Sequence, residues 1–268
     1  MNKKEIIKLG LTEEELKGLY PNVTTELEAI GNLDEVNIFL MMMISIVLFF
    51  AIYFTAFQVS SSITLEKTSK IIETIATSTS PTCIILGKTI GMAVTGVLQL
   101  IVIIATALIS ANLFVEKELL ETLLDVTSIT WKLGILAVVY FILGYLVYAF
   151  LYALTGATVS KPEDVQSANG PVSVLAVIGF YLAYFTMMNP TSNFNRFASL
   201  FPLSSAFCMP FRYMMHLASI SDIVLSILIL IITISLVAFV SIRIYTNAIL
   251  NYGTRLSIKD LVKMFKQK

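Results

Sequence analysis

Long apolar runs alternate with short polar breaks along this chain. The first run covers residues 36–58 and contains "FLMMMISIVLFFAIYFTAF". Four more follow at about 83–114, 129–155, 171–188 and 220–247. Each approaches or exceeds the length of about 20 mostly apolar residues that a membrane span needs. In lipid such runs must be helices, because their backbone groups find no water to bond. A closed barrel would need alternating strands of about ten residues, and these runs are continuous. The pattern therefore predicts an all-α membrane protein with about five transmembrane helices.

The break between the first two runs has a pattern of its own, "EKTSKIIETIATSTSP". On a helix, Glu66 and Lys70 are four apart with the acid first, the favoured order for an ion pair. Lys70 and Glu73 are three apart on the same side. Leu65, Thr68, Ile72 and Ile75 or Ala76 share the other side at helical spacing. The spacing predicts an amphipathic helix of about four turns, stopped at Pro81 because the residue before a proline disfavours helix. Two readings fit it: a solvated linker, or an element that docks a partner and rests its apolar face on the span ends.

The stretch 189–217 is too apolar for a solvent loop: it holds Phe194, Phe197, Leu200, Phe201, Phe207, Phe211 and Tyr213. Re-entry into the membrane as short broken helices is expected, since irregular backbone is tolerated at that depth only when protein covers it. Arg212 is expected to snorkel to the headgroups. The tail "RLSIKDLVKMFKQK" is basic and amphipathic, which suits anionic lipid.

Composition agrees with the pattern. Of 268 residues, 57% are hydrophobic and 13% charged, against about a quarter charged in a soluble domain. The formal net charge is zero, so no nucleic-acid footprint exists. The two cysteines, Cys83 and Cys208, lie far apart in apolar surroundings and read as buried thiols. Residues 1–35 form a polar segment, expected to be external. Basic residues orient the spans. With a cytoplasmic C-terminus the inner side holds Lys67, Lys70, Lys88, Lys161 and Arg243 plus five basic tail residues. The outer side near the spans holds only Lys117, Lys132, Arg196 and Arg212.

Catalytic chemistry finds little support. A P-loop needs a glycine five residues before the Gly-Lys-Thr of "ILGKTIG", and Thr82 stands there. His216 is the only histidine, with no HExxH or GxSxG pattern around it. No metal site, cofactor or enzymatic activity is expected on this chain. Within the spans, Thr95, Gln99 and Thr106 share one helical face, which serves either as a pathway or as interhelical hydrogen bonding. Gly134, Gly144 and Gly156 are expected to let helices approach closely.

"EKTSKIIETIATSTSPTCIILGKTIG" resembles the cytoplasmic segment and following helix of type-2 ABC exporter permeases. The matching features are Glu66-Lys67, Lys70 to Glu73, Ser80-Pro81 and Leu86-Gly87-Lys88. "GATVSKPEDVQSANGP" resembles the family's short inner loop. Its outer loop has counterparts in Asn189-Pro190, Phe201-Pro202-Leu203-Ser204 and Met209-Pro210-Phe211-Arg212. The sodium-efflux-permease-like branch is the most similar. The resemblance implies that Glu66, Lys67, Lys70, Ile71 and Glu73 belong to a coupling helix seated on an ABC ATP-binding subunit. It also implies an outer gate at Asn189, Pro190, Pro202, Pro210 and Arg212. The partners it implies are that ATP-binding subunit, which holds the ATP, a second permease in a homodimer or heterodimer, and membrane lipid. Branch members usually carry six spans and a large external domain, so the expectation is that a first span and most of that domain are lacking. The expected function is the multi-pass, cell-membrane subunit of an exporter. The alternative is a non-transporting membrane module, such as an immunity or sensor protein, or an inactive permease.

Overall fold

The computed structural model describes residues 35–114, 131–189 and 192–249, and these form helices with no strand among them. Helix α1 spans Glu35–Thr68, α2 Ile71–Ser78, α3 Pro81–Phe114, α4 Trp131–Thr158 and α5 Val165–Met188. Two short helices follow, α6 Phe194–Leu200 and α7 Ser205–Met214, and then α8 Ile220–Ala248. Among the described residues, five stretches are long and apolar enough to cross a membrane: Met42–Thr68, Pro81–Phe114, Lys132–Thr158, Pro162–Met188 and Ile220–Ala248. The expected all-α membrane architecture is present. The N-terminal segment up to residue 34, expected to be external, the segment 115–130 and the basic tail lie outside the described residues.

Two spans are longer than the hydropathy pattern suggests. The first run was expected to end at 58, but α1 continues to Thr68 through "VSSSITLEKT". Ala56, Val59, Ser60, Ile63, Thr64 and Lys67 are all buried. Their 3-1-3-1-3 spacing is one helical face, so packing against other helices carries the polar stretch past the apolar boundary. The last span but one was expected to start at Pro171. It starts at Val165, with Pro171 inside the helix, after a 3-10 turn at Pro162–Asp164. Proline lacks the amide that would bond the carbonyl four residues back, yet a position in the second turn is survivable because the rest of the helix is packed.

Chain direction sorts the loops into two ends. The C-terminal ends of α1, α4 and α8 lie at the end that carries α2. The α5–α8 connection, with α6 and α7, lies at the opposite end. Helix α4 is the central post, packed against α1, α8, α7, α5 and α3. Four buried tyrosines on it each reach a different neighbour. Tyr140 donates to the Ile223 carbonyl on α8, 3.4 Å, and Tyr145 to Thr89 on α3, 2.8 Å. Tyr148 donates to Leu203 before α7, 2.8 Å, and the Tyr152 hydroxyl bonds Ser173 on α5, 3.0 Å. A buried tyrosine hydroxyl needs such a partner, and these fix which helix sits where.

Of the three glycines expected to permit close approach, two do. A Cβ on Gly144 would meet the Ala206 Cβ at 2.5 Å, and one on Gly156 the Ser60 carbonyl oxygen at 2.7 Å. Gly134 faces open space.

Candidate functional site: the α2 end of the bundle

The expected four-turn helix does not form as one piece. Glu66 and Lys67 belong to the last turn of α1. The chain then breaks at Lys70, whose backbone is left-handed with φ 59°, and α2 restarts at Ile71. Ser69 closes the end of α1: its hydroxyl donates to the Leu65 carbonyl at 2.8 Å and its amide to the same oxygen at 3.0 Å. The break removes the expected Glu66–Lys70 pairing, because the two side chains no longer share one helical face.

Helix α2 is amphipathic over two turns. Ile72 is buried in the bundle, with Ile75 and Ala76 partly covered beside it. Lys70, Ile71, Glu73, Thr74, Thr77 and Ser78 are exposed. Ile71 is 52% and Leu65 65% exposed, so two large aliphatic side chains flank a polar surface. Pro81 does not merely stop this element. Ser80 caps α3, its hydroxyl accepting from the Cys83 amide at 3.3 Å, and Pro81 takes the first helical position. Between the end of α1 and the start of α5, an open cavity of about 400 Å³ is lined by Phe57, Ser61, Thr64 and Leu65 on one side and Pro162, Glu163, Val165 and Gln166 on the other.

Beneath this surface lie charges that the helical spacing did not place. The Glu66 carboxylate pairs with Lys88 on α3, 2.7 Å apart, and Lys88 also donates to the Ser62 hydroxyl at 3.0 Å. Lys67 is fully buried. Its ammonium donates to the Ala157 carbonyl at 2.6 Å and the Ala248 carbonyl at 2.9 Å. Those oxygens sit in the last turns of α4 and α8, where helix carbonyls lack intrahelical partners. A cation there also meets the negative ends of two helix dipoles, worth up to about 2 kcal/mol in a partly buried setting.

A second polar cluster joins α1, α4 and α5. The buried Asn169 accepts at Oδ1 from Ser60, 2.9 Å, and from Thr155. Thr64 donates to the Gly156 carbonyl at 3.2 Å. The Tyr53 hydroxyl bonds Ser173 at 3.2 Å.

The opposite end carries the residues expected to form a gate. The stretch expected to re-enter folds as two short helices packed into the bundle: α7 is buried from Ser205 to Arg212 and contains Pro210. Pro202 occupies the turn before it, and the Asn189 carbonyl accepts from the Asn195 amide nitrogen at 2.7 Å. Pro190 lies outside the described residues. Arg212 does not snorkel. It is buried and donates to Ser199, to the Leu217 carbonyl at 2.7 Å and to Asp222 at 3.3 Å. Arg196 reaches the other oxygen of Asp222 at 3.1 Å. An acid in the first turn of α8 offers the guanidinium a nearer partner than headgroups. Asp222 was not singled out from the sequence, because only the fold brings it beside Arg212. Cys208 is buried in α7, and burial pushes its thiol up to about 12. Cys83, expected to be buried, is exposed at the start of α3. His216 is exposed in the turn after α7.

The shared face of Thr95, Gln99 and Thr106 is largely open, with Gln99 half-buried. Thr95 and Thr106 are exposed, and Thr95 bonds its own helix at the Gly91 carbonyl, 3.1 Å. No bond to another helix of this chain uses these three side chains among the described residues.

Comparison with known proteins follows the same lines. The chain is 30% identical over 262 residues to "Uncharacterized protein YhaP" of Bacillus subtilis (strain 168), a match covering 94% of this chain and 62% of that protein. It is 26% identical over 208 residues to "Uncharacterized protein MJ1024" of Methanocaldococcus jannaschii, covering 78% and 49%. The chain thus spans between about half and two thirds of these relatives' length. No solved structure matches it. The model of the family described as "ABC-2 family transporter protein" matches residues 3–243, and with five apolar helices among the described residues and a short helix between the first two, the chain belongs to that family of membrane permeases.

Proposed function

We propose that this chain is the transmembrane subunit of an ABC exporter, driven by ATP hydrolysed on a separate subunit. The observation that carries the reading is α2. It is a short helix between two spans, anchored by Ile72 and presenting Ile71, Glu73, Thr74 and Thr77 outward. That arrangement suits a protein groove: an aliphatic anchor with polar groups around it. The family supports a partner that binds ATP. The α2 end then faces the cytoplasm, and the re-entrant pair α6–α7 forms the outer closure. The working unit has two permease subunits and two ATP-binding subunits. Closure of the ATP-binding subunits displaces α2 and, through it, the spans.

The test is co-expression of the full-length protein with the ATP-binding cassette subunits of the same genome, followed by co-purification and ATPase measurement in nanodiscs. Ile71→Asp with Glu73→Arg is expected to abolish association while leaving the permease folded. Unchanged association and unchanged ATPase stimulation would sink the assignment. Glu66 and Lys67 are poor choices for this test, because their side chains are used inside the bundle.

A further inference from the structure

We propose that Lys67 is a positioning residue that makes α2 and the ends of α4 and α8 move as one body. The inference rests on the proposed coupling role of α2 and goes beyond it, since it names how a displacement of α2 reaches the spans.

The argument starts from connectivity. Only Ser69 and Lys70 separate α1 from α2, and the left-handed turn at Lys70 is a sharp corner rather than a long tether. A force on α2 therefore arrives first at the last turn of α1. The last turn contains Glu66 and Lys67, adjacent in sequence and about 100° apart around the helix. Glu66 holds α3 through Lys88. Lys67 holds α4 through Ala157 and α8 through Ala248. Two consecutive side chains thus tie the ends of four spans at the corner where α2 begins.

The Lys67 contacts are suited to transmission. Both acceptors are backbone oxygens, so the ammonium grips the helices themselves and not rotatable side chains. Among the described residues no carboxylate lies within ion-pair distance of Lys67. The two carbonyls are therefore its compensation for burial, and releasing either leaves a desolvated cation. Small displacements are passed on because a packed interior does not deform continuously. Without Lys67, α1 could swing at its end while α4 and α8 stayed behind.

The experiment uses the full-length protein in nanodiscs with its ATP-binding subunit. Spin labels are placed at Thr77 on α2 and Thr246 on α8, both exposed. Distances are measured without nucleotide and after trapping with ATP and vanadate. The wild-type distance is expected to be the same in both states, while the distance between the two Thr77 labels of the dimer changes. Lys67→Met keeps most of the unbranched apolar stem and removes the donors. It is expected to co-purify with the ATP-binding subunit as wild type does, to show a nucleotide-dependent Thr77–Thr246 distance, and to lose stimulation of the partner's ATPase. Lys67→Arg, which keeps the donors, is expected to restore the fixed distance at least in part. A wild-type Thr77–Thr246 distance that shifts with nucleotide overturns the proposal, and this arm needs no variant to fold. A Lys67→Met protein with an unchanged distance and normal ATPase stimulation overturns it too. Failure of the coupling role itself looks different: the wild type then neither binds an ATP-binding subunit nor changes its Thr77–Thr77 distance.

Discussion

The Gly156 backbone lies directly on the Ser60 backbone, so close that a Cβ on Gly156 would stand 2.7 Å from the Ser60 carbonyl oxygen and 2.9 Å from its Cα. The contact is what brings α1 and α4 near enough for Thr64 to donate to the Gly156 carbonyl and for Lys67 to reach Ala157. Backbone cannot rotate away as a side chain can, so the helices must separate if anything is added. Gly156→Ala is expected to destabilise the protein by about 1–3 kcal/mol through overpacking. Gly134→Ala, placed in open space within a helix, is expected to be neutral or stabilising by about 0.5–1 kcal/mol. Thermal unfolding of the two variants in the same detergent checks the contrast.

Arg212 and Asp222 form a buried pair whose guanidinium also serves Ser199 and Leu217. Arg212→Met removes the buried guanidinium but leaves Asp222 paired with Arg196. A loss of about 1–3 kcal/mol is expected, from the buried hydrogen bonds left unmade. Arg196→Met is expected to cost about 0–1 kcal/mol, since that side chain is largely exposed. Equal losses of thermal stability in the two variants would contradict this arrangement.

Glu66 and Lys88 tie α1 to α3 across one charge pair. Glu66→Lys or Lys88→Glu alone places like charges together and is expected to lower the melting temperature and the yield of folded protein. The double exchange is expected to recover part of the loss. A double-mutant cycle on unfolding in detergent measures the coupling directly.

The two cysteines should differ sharply in reactivity. The thiolate is the reactive form, and Cys208 is buried with its thiol pushed up to about 12. Cys83 is exposed beside α2. A maleimide is expected to label Cys83 and spare Cys208 until the protein unfolds. With the α2 end in the cytoplasm, a membrane-impermeant maleimide labels Cys83 in inside-out vesicles and leaves intact cells unlabelled. Labelling in intact cells would place that end outside.

Asn169 carries two hydrogen bonds between helices, accepting from Ser60 and Thr155. Asn169→Leu removes the acceptor and leaves both hydroxyls to find other partners. A loss of about 1–3 kcal/mol is expected, read from thermal unfolding.

Much of the architecture was legible along the chain. Long apolar runs can only be helices in lipid, so the spans, their order and their number follow from hydropathy. The crowding of phenylalanine and proline after 189 pointed to re-entry for the same reason, since such a surface must be covered. Hydropathy gave the ends of spans less well. It placed the end of α1 ten residues early, because Ser60, Thr64 and Lys67 are polar yet lie on the packed face. Helical spacing also paired Glu66 with Lys70, because periodicity assumes that the helix continues.

What the sequence determined by itself was the medium and the spans: apolar length dictates burial in lipid, and lipid dictates helix. Only the tertiary structure decided what the polar residues do. Lys67 is a buried clasp and not a solvated charge because two helix ends from 90 and 181 residues away present bare carbonyls to it. Arg212 faces Asp222 and not the headgroups because α7 folds back into the bundle. Charge partners of this kind depend on distances between chain-distant backbones, and helical spacing along one segment carries no information about them.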